Sequence, residues 1–442
     1  MKKHISNAVY GLLDYASYPL GMLLVAPIIL HRLGAAEYGL WMVSTGIVSA
    51  GGIIASGFSD AAIQRIAALR GSEKHSQIVD TVRTLFAINL TLGCAVACLL
   101  WISAPWAASH LAVANSVSVR ECLACVRLAS IVVLLRAVET VSVSTQRAFQ
   151  EYRGTVQIST ATRFLTLGLA AALASEGGRT QSIMVLTAAL LAGGCAVQFL
   201  HLRRFISRLV RPEFCYAETR GLLRTGTFVW IQTCGSVLFR QADRVILGLF
   251  LGVGVVAPYA LCVQFAEPLF GAAASGLSFF LPYLSGRFGL LSGFALRRAV
   301  FKAALCNLLL VAAGAILLLF LGARILRIWA GPMIAHSAAP ILPLIVTGSA
   351  LSGLSVTGTY AAQALGLFRA VALISTGTRA ALMLLMIYLL RRHGVQGLAE
   401  ARFWYGAATL LVYLPLVRHL CSGTASKSPL SIPAELPEGA QP

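Results

Sequence analysis

The residues of this 442-residue chain best equipped for chemistry stand inside apolar runs. Residues 238–252 read LFRQADRVILGLFLG, with Arg240, Asp243 and Arg244 set among Val, Ile, Leu, Phe and Gly. A charge at membrane depth costs roughly 2.5 to 3.5 kcal/mol on insertion scales, so such residues face a bundle interior or a watery cavity rather than lipid. At about 100° per residue, Thr233, Ser236, Arg240, Asp243 and Arg244 share about 100° of arc, and Leu238, Phe239, Val245, Ile246 and Leu249 take the other side. Arg240 falls near the middle of the run, and Asp243 about 4 to 5 Å nearer its outer end. Two chemistries fit the stripe. One is a structural ion pair, since Arg240 and Asp243 are one turn apart. The other is an anion site: a guanidinium fork grips phosphate through two parallel hydrogen bonds and keeps its charge at any physiological pH.

The same pattern recurs along the chain. Arg127, Arg136, Arg163, Arg379 and Arg402 also lie inside apolar stretches, and Arg136, Arg163 and Arg379 are further candidates for phosphate binding. Asp14, Asp60, Glu139, Asp243, Glu267 and Glu400 are their acidic company. Of these, Asp14, Glu139, Asp243 and Glu267 are candidates for coupling to a proton or sodium gradient, because acids inside a bundle can titrate. Asp14 precedes Pro19, and Glu267 lies between Pro258 and Pro268, where a helix can bend. A helix-packing role fits these acids equally well.

The elements that must position these charges are transmembrane helices. Charged residues make up 12% of the chain, hydrophobic ones 58%, against about 25% charged in soluble domains. Mean hydropathy is +0.80. Apolar segments of about 20 residues fall at 8–30, 39–63, 83–104, 122–146, 157–175, 181–201, 226–250, 254–281, 299–322, 340–364, 368–390 and 397–418. The start, MKKHISNAVYGLLDYASYPLG, has a basic tip but no cleavage signature, and is expected to be the first span, retained. The fold class expected is an all-α membrane protein of twelve helices.

Loop charges orient it. The N-terminal end and the loops after even-numbered spans hold 21 Lys and Arg, the loops after odd-numbered spans 7. That bias puts both termini in the cytoplasm and explains the formal charge of +19 without nucleic acid as a partner. The basic stretch at 201–225 separates two sets of six spans, 1–200 and 226–420. It reads either as an amphipathic helix on the inner leaflet, with Arg203, Arg204, Arg208 and Arg211 as anchors and Phe205, Leu209 and Phe214 dipping in, or as an ordinary linker. Residues 421–442 are Pro- and Ser-rich and are expected to be disordered. Leu33-Gly34 matches Leu251-Gly252 at an offset of 218, where Trp41 also meets Tyr259, a weak sign of a parallel repeat.

Other chemistry is thinly represented. Cys122 and Cys125 form a CxxC with no second pair to complete a zinc site, so the ten cysteines read as small buried residues. His31, His110, His336 and His393 fall singly in short outer loops and read as solvated. No nucleophile elbow, HExxH or phosphate-binding loop occurs, and neither an enzyme activity nor a cofactor is expected.

Two segments carry a family resemblance. HRLGAAEYGLWMVSTGIVSAGGIIASGFSDAAIQRIAALRG (31–71) resembles the first-loop and second-helix signature of Wzx-type polysaccharide-repeat-unit flippases of the multidrug/oligosaccharidyl-lipid/polysaccharide exporter superfamily. QADRVILGLFLGVGVVAPYAL (241–261) resembles the seventh-helix segment of the same family. The resemblance implies two six-helix lobes around a central cation-lined cavity. It implies translocation of an oligosaccharide, commonly on undecaprenyl pyrophosphate, across the bacterial inner membrane by alternating access, for O-antigen, exopolysaccharide or capsule. Coupling to an ion gradient is implied, as are a polysaccharide polymerase and glycosyltransferases as partners and a monomeric state. The chain departs from the pattern in its short outer loops and in six acids nearly balancing the seven intramembrane arginines.

Two alternatives compete. A drug or cation antiporter of the same superfamily would want an acidic, aromatic cavity, against which the arginines count. A membrane polymerase or ligase of polysaccharide assembly would want a large outer loop, whereas the longest outer segments, near 105–121 and 323–339, are short.

Overall fold

In lipid every backbone N–H and C=O must be satisfied within the protein, and a continuous helix does this locally. Apart from short turns such as 57–58 and 340–341, the apolar stretches of this sequence accordingly coincide with helical backbone where they are described. The computed structural model describes residues 21–71, 75–112, 117–149, 151–206, 211–277, 280, 284 and 293–421, leaving out some side chains within them, Asp60 and most of 236–240 among these. Asp14 and the tail expected to be disordered lie outside the described residues.

The helices are α1 (Gly21–Leu33), α2 (Ala35–Ser56), α3 (Ser59–Gly71), α4 (His75–Leu111), α5 (Val119–Ala148), α6 (Tyr152–Ser175), α7 (Thr180–Leu202), α8 (Tyr216–Leu251), α9 (Val256–Gly276), α10 (Gly293–Ala330), α11 (Pro332–Ala338), α12 (Leu342–Ala364), α13 (Phe368–Thr409) and α14 (Tyr413–Cys421). No strand occurs among the described residues. Among the described residues eight stretches are long and apolar enough to cross a membrane, and the chain is a multi-pass membrane protein. The expected spans at 368–390 and 397–418 run together in α13, interrupted at Gly394, whose φ of 58° and ψ of −136° are not helical.

Packing divides the chain into two compact units. The first comprises Met1–Gln264, Arg324–Pro340 and Met386–Leu398. Within it α5 packs against α2, α3, α4, α6 and α7. That explains a span carrying Arg127, Arg136 and Glu139: this helix is held by other helices. The Arg127 guanidinium lies 5.0 Å from the ring centre of Trp101 on α4, a cation–π contact. Between α5, α6 and α7 a buried network joins Gln146 and Gln198. Gln146 Nε2 donates to Gln198 Oε1 (2.9 Å), Gln198 Nε2 donates to the Thr155 carbonyl (3.0 Å) and to Ser159 Oγ (3.2 Å), and Thr155 Oγ1 donates to Gln146 Oε1 (2.6 Å). Polar side chains bridging helices in this way fix rotation and register where apolar contacts against lipid do not.

The described residues between α7 and α8 are not helical, and Arg208 and Leu209 of the expected amphipathic helix lie outside them. Residues 203–205 are a turn and 211–215 are non-helical, with 207–210 outside the description. The backbone there finds partners elsewhere: Cys215 N–H donates to Thr84 Oγ1 (3.3 Å), and Arg83 pairs with Glu213 (3.0 Å). Phe205 packs inward against Phe149 and His201 instead of into a leaflet. Arg65 then grips Glu218 at the start of α8 with both arms of its fork (3.0 and 2.9 Å), and Thr81 Oγ1 donates to the same carboxylate (3.1 Å).

The second unit comprises Phe265–Ala323, Ile341–Leu385 and Ala399–Pro442. Its core gathers Ala273, Leu277, Leu296, Val311, Val356 and Leu416 with their neighbours. Asn307 Nδ2 donates to the Gly353 carbonyl and to Thr357 Oγ1, both at 3.0 Å, and Tyr413 Oη donates to the Leu354 carbonyl (2.8 Å).

The cysteine expectation needs amendment. Cys122, Cys125, Cys195 and Cys262 are buried, but Cys94, Cys98 and Cys306 are exposed on apolar helix faces. There they serve as small apolar residues on the outer surface of a helix rather than in a core.

Candidate functional site

The two segments that carry the family resemblance pack against each other. On α2, Gly39, Gly46 and Gly57 are seven and eleven residues apart and so fall on one face. A methyl group added at Gly39 would meet the carbonyl of Val253, at Gly46 the Val245 side chain (3.7 Å), and at Gly57 the Trp230 indole (2.6 Å from Nε1). From α8, Gly248 returns the contact against Val43 (2.8 Å). Contacts descend along α8 as they ascend along α2, so the two helices are antiparallel along a glycine seam of the kind that lets backbones approach closely. Trp230 Nε1 closes the far end by donating to the Ile54 carbonyl (2.8 Å), and its ring stacks on Phe58. At the near end Gly34 and Gly252 adopt the same turn, φ 81° and ψ 171° against φ 81° and ψ 167°. The Leu-Gly repeat of the sequence is thus a repeated backbone conformation that favours glycine.

The charged stripe lies on the same helix, α8, away from the Val245 and Gly248 face that meets α2. Asp243 is fully buried. Its Oδ2 accepts from the Tyr259 hydroxyl of α9 (2.8 Å), and its Oδ1 accepts from the backbone N–H of Arg244 (2.7 Å). Tyr259 is also fully buried. Arg244 is half-buried, and its Nε is buried without a hydrogen-bond partner among the described residues. Arg240 follows the helical backbone of α8, but its side chain lies outside the described residues.

Arg136 and Glu139 pair with each other. Arg136 Nη1 lies 2.7 Å from Glu139 Oε2, one turn along α5, with side-chain exposures of 36% and 7%. Arg136 leans on α2 at Gly52 through the foot of its side chain. Arg163 is half-buried on α6. Arg379 is half-buried on α13 and Glu267 exposed on α9, both in the second unit. His31, His110, His336 and His393 are all exposed, and His110 is not alone, since its ring stacks on Trp106 with 4.6 Å between centres.

Some participants were not singled out in the sequence. Tyr259 was noticed only as the repeat counterpart of Trp41, and its role toward Asp243 follows from a 16-residue separation that only the turn at 252–255 brings together. Glu37, Glu121 and Arg179 sit at helix starts, where an acid reads as an ordinary N-terminal residue. Glu37 Oε2 accepts from the Thr180 N–H (3.0 Å) at the start of α7, and Glu121 Oε2 lies 3.7 Å from Arg179 Nη1.

Comparison with known proteins agrees with this architecture. Residues 6–286 match the sequence family described as "Polysaccharide biosynthesis protein". No curated protein matches the sequence significantly. Among solved structures, the lipid II flippase MurJ in its inward closed conformation superposes with a TM-score of 0.70 at 15% identity, covering 93% of this chain and 87% of that one. An inward-facing multidrug resistance MATE family transporter of the MOP superfamily gives 0.65 at 14% identity, covering 96% of each chain. A MOP superfamily transporter from Pyrococcus furiosus, described by the reverse polarity of its binding pocket, gives 0.55 at 14% identity over 94% of this chain and 96% of that one.

Proposed function

Because the chain belongs to the polysaccharide biosynthesis protein family, we propose that it moves a lipid-linked oligosaccharide, of the undecaprenyl-pyrophosphate type, across the bacterial inner membrane by alternating access. The observation that carries this reading is the state of Arg244. Its neighbour Asp243 already accepts from Tyr259 and from the backbone, while Arg244 Nε is buried without a hydrogen-bond partner among the described residues. A buried donor without an acceptor costs about 1–3 kcal/mol, more when charged, and a phosphate oxygen would relieve that cost. Arg240, one turn away, would supply a second fork to the same anion. The resemblance to the MurJ fold supports this assignment, and the product would enter O-antigen, exopolysaccharide or capsule synthesis.

The MATE-like fold supports the competing reading, multidrug or cation antiport. The arginines of α8 weigh against a cationic cargo, since like charges repel it from a low-dielectric site. Export by an Arg240→Ala and an Arg244→Ala variant decides. Both variants are expected to reach the membrane and to abolish surface polysaccharide. Full export by both removes the phosphate site, and drug hypersensitivity of a deletion strain with intact polysaccharide establishes the antiporter.

A further inference from the structure

The starts of α2, α5 and α7 meet at a pair of carboxyl groups that the transport reading does not use. Glu121 stands on the first turn of α5, ahead of the 122–146 span, in a capping position: its N–H donates to Ser118 Oγ (3.2 Å). Its carboxyl group does not turn back to the cap. The side chain is only 7% exposed, Oε2 reaches toward Arg179 at 3.7 Å, and Oε1 is buried without a hydrogen-bond partner among the described residues. The Glu37 carboxyl, from the first turn of α2, converges on the same place: it sits on the N–H of Thr180, the residue next to the Arg179 that Glu121 reaches toward. Glu37 is itself anchored, with Oε2 accepting from the Thr180 N–H (3.0 Å) and its main-chain carbonyl accepting from Thr180 Oγ1 (2.9 Å).

Two carboxylates brought together this way are both acceptors, and neither carries a donor for the other unless a proton sits between them. Like charges sharing a buried site cannot both ionise cheaply, so one carboxyl keeps its proton far above the usual range. The charged and titratable groups around Glu121 are Glu37 on α2, Arg179 ahead of α7, and the Cys122 and Cys125 thiols of its own helix. Arg179 is 75% exposed, so its charge is largely screened and cannot neutralise the pair. Burial, reinforced by Glu37 and opposed by Arg179, pushes the Glu121 carboxyl up to about 7.

We propose that Glu37 and Glu121 form a proton-binding site that clasps the starts of α2, α5 and α7. With the proton bound, the pair is a single hydrogen-bonded unit of charge −1. With it released, the buried Glu121 carboxylate and the half-buried Glu37 carboxylate repel, and each is relieved by moving into water. Gly39, two residues beyond Glu37, carries the close contact between α2 and the 253–255 turn. Release of the proton therefore loosens the end of the glycine seam that holds α2 against α8.

The use of this site for gradient coupling rests on the transport reading; the existence of the site does not. The test is an infrared titration of the protonated-carboxyl stretch on the full chain in lipid nanodiscs, without saccharide. One carboxyl per chain is expected to titrate with a midpoint of about 7. Glu121→Gln is expected to remove that step, and Glu37→Gln to lower its midpoint, because burial alone still raises the Glu121 carboxyl. Arg179→Ala, on an exposed side chain, keeps the fold and is expected to raise the midpoint, because it removes a cation that lowers it. A wild type without a carboxyl step near neutrality overturns the proposal, as does a step that survives Glu121→Gln or a midpoint left unmoved by Glu37→Gln. If neither glutamine variant folds, an unmoved midpoint in Arg179→Ala overturns it. A lost proton site with intact polysaccharide export leaves the flippase reading standing, and the reverse result leaves the proton site standing.

Discussion

Alanine at Gly39 tests the glycine seam directly. A Cβ built there falls 3.0 Å from the Val253 carbonyl carbon and closer still to its oxygen, where carbon atoms rest at about 3.5–4.0 Å. Both sides of the contact are backbone, so no side chain can swing aside, and α2 must move away from the 253–255 turn by roughly 1 Å. Overpacking of this kind costs about 1–3 kcal/mol. Replacing a helical glycine also returns about 1 kcal/mol of helix propensity, which would mask part of the loss. Gly168 on α6 supplies the control, because nothing lies within 4 Å of a Cβ built there, so its alanine variant carries the propensity term alone. The difference between Gly39→Ala and Gly168→Ala therefore isolates the packing term, about 1–3 kcal/mol. At about 2–4 °C per kcal/mol, that is a melting temperature lower by several degrees for Gly39→Ala. Gly34→Ala has an open Cβ site but a φ of 81°, and should fall between the two through backbone strain of about 1–2 kcal/mol. The assay is thermal unfolding of the three purified variants in one detergent, followed by tryptophan fluorescence. Equal melting of Gly39→Ala and Gly168→Ala would show that α2 and α8 do not meet through Gly39, and the account of the seam would fail with it.

Two further outcomes follow from buried polar contacts. Hydrogen bonding from Arg65 holds the Glu218 carboxyl below the usual carboxylate range, so this pair contributes stability that is fully present above about pH 4.5 and is lost as pH falls through the depressed value. Glu218→Gln should flatten that acid limb in melting curves run from about pH 3 to 7, by only about 1 kcal/mol because Arg65 is 46% exposed and screened; an unchanged acid limb would rule the pair out as a stabilising contact. Gln198→Leu removes three side-chain hydrogen bonds between α5, α6 and α7; at about 0.6 kcal/mol each in a membrane protein the loss is roughly 2 kcal/mol, read as a lower melting temperature, and a variant as stable as the wild type would mean the network adds no stability.

Hydropathy along the chain was enough to locate the helices. A membrane-spanning helix satisfies its own backbone within some 20 consecutive residues, so the information is local and linear. Even the most charged expected span, 122–146, is helical within α5. The two Leu-Gly pairs were legible too, because a turn with φ near 81° is set by the residue that occupies it. Sequence could not say which way each helix turns. Lipid is as apolar as a helix interface, so a span shows little amphipathic contrast, and its rotation is set by neighbours. Only the tertiary structure decided that Gly39, Gly46 and Gly57 form a seam with α8, that Asp243 accepts from Tyr259, and that Arg136 pairs with Glu139 on its own helix. The pairing of Glu37 with Glu121 lies furthest from the sequence. Each acid reads as an ordinary helix-start residue, and their approach depends on how α2, α5 and α7 pack, which no local pattern encodes.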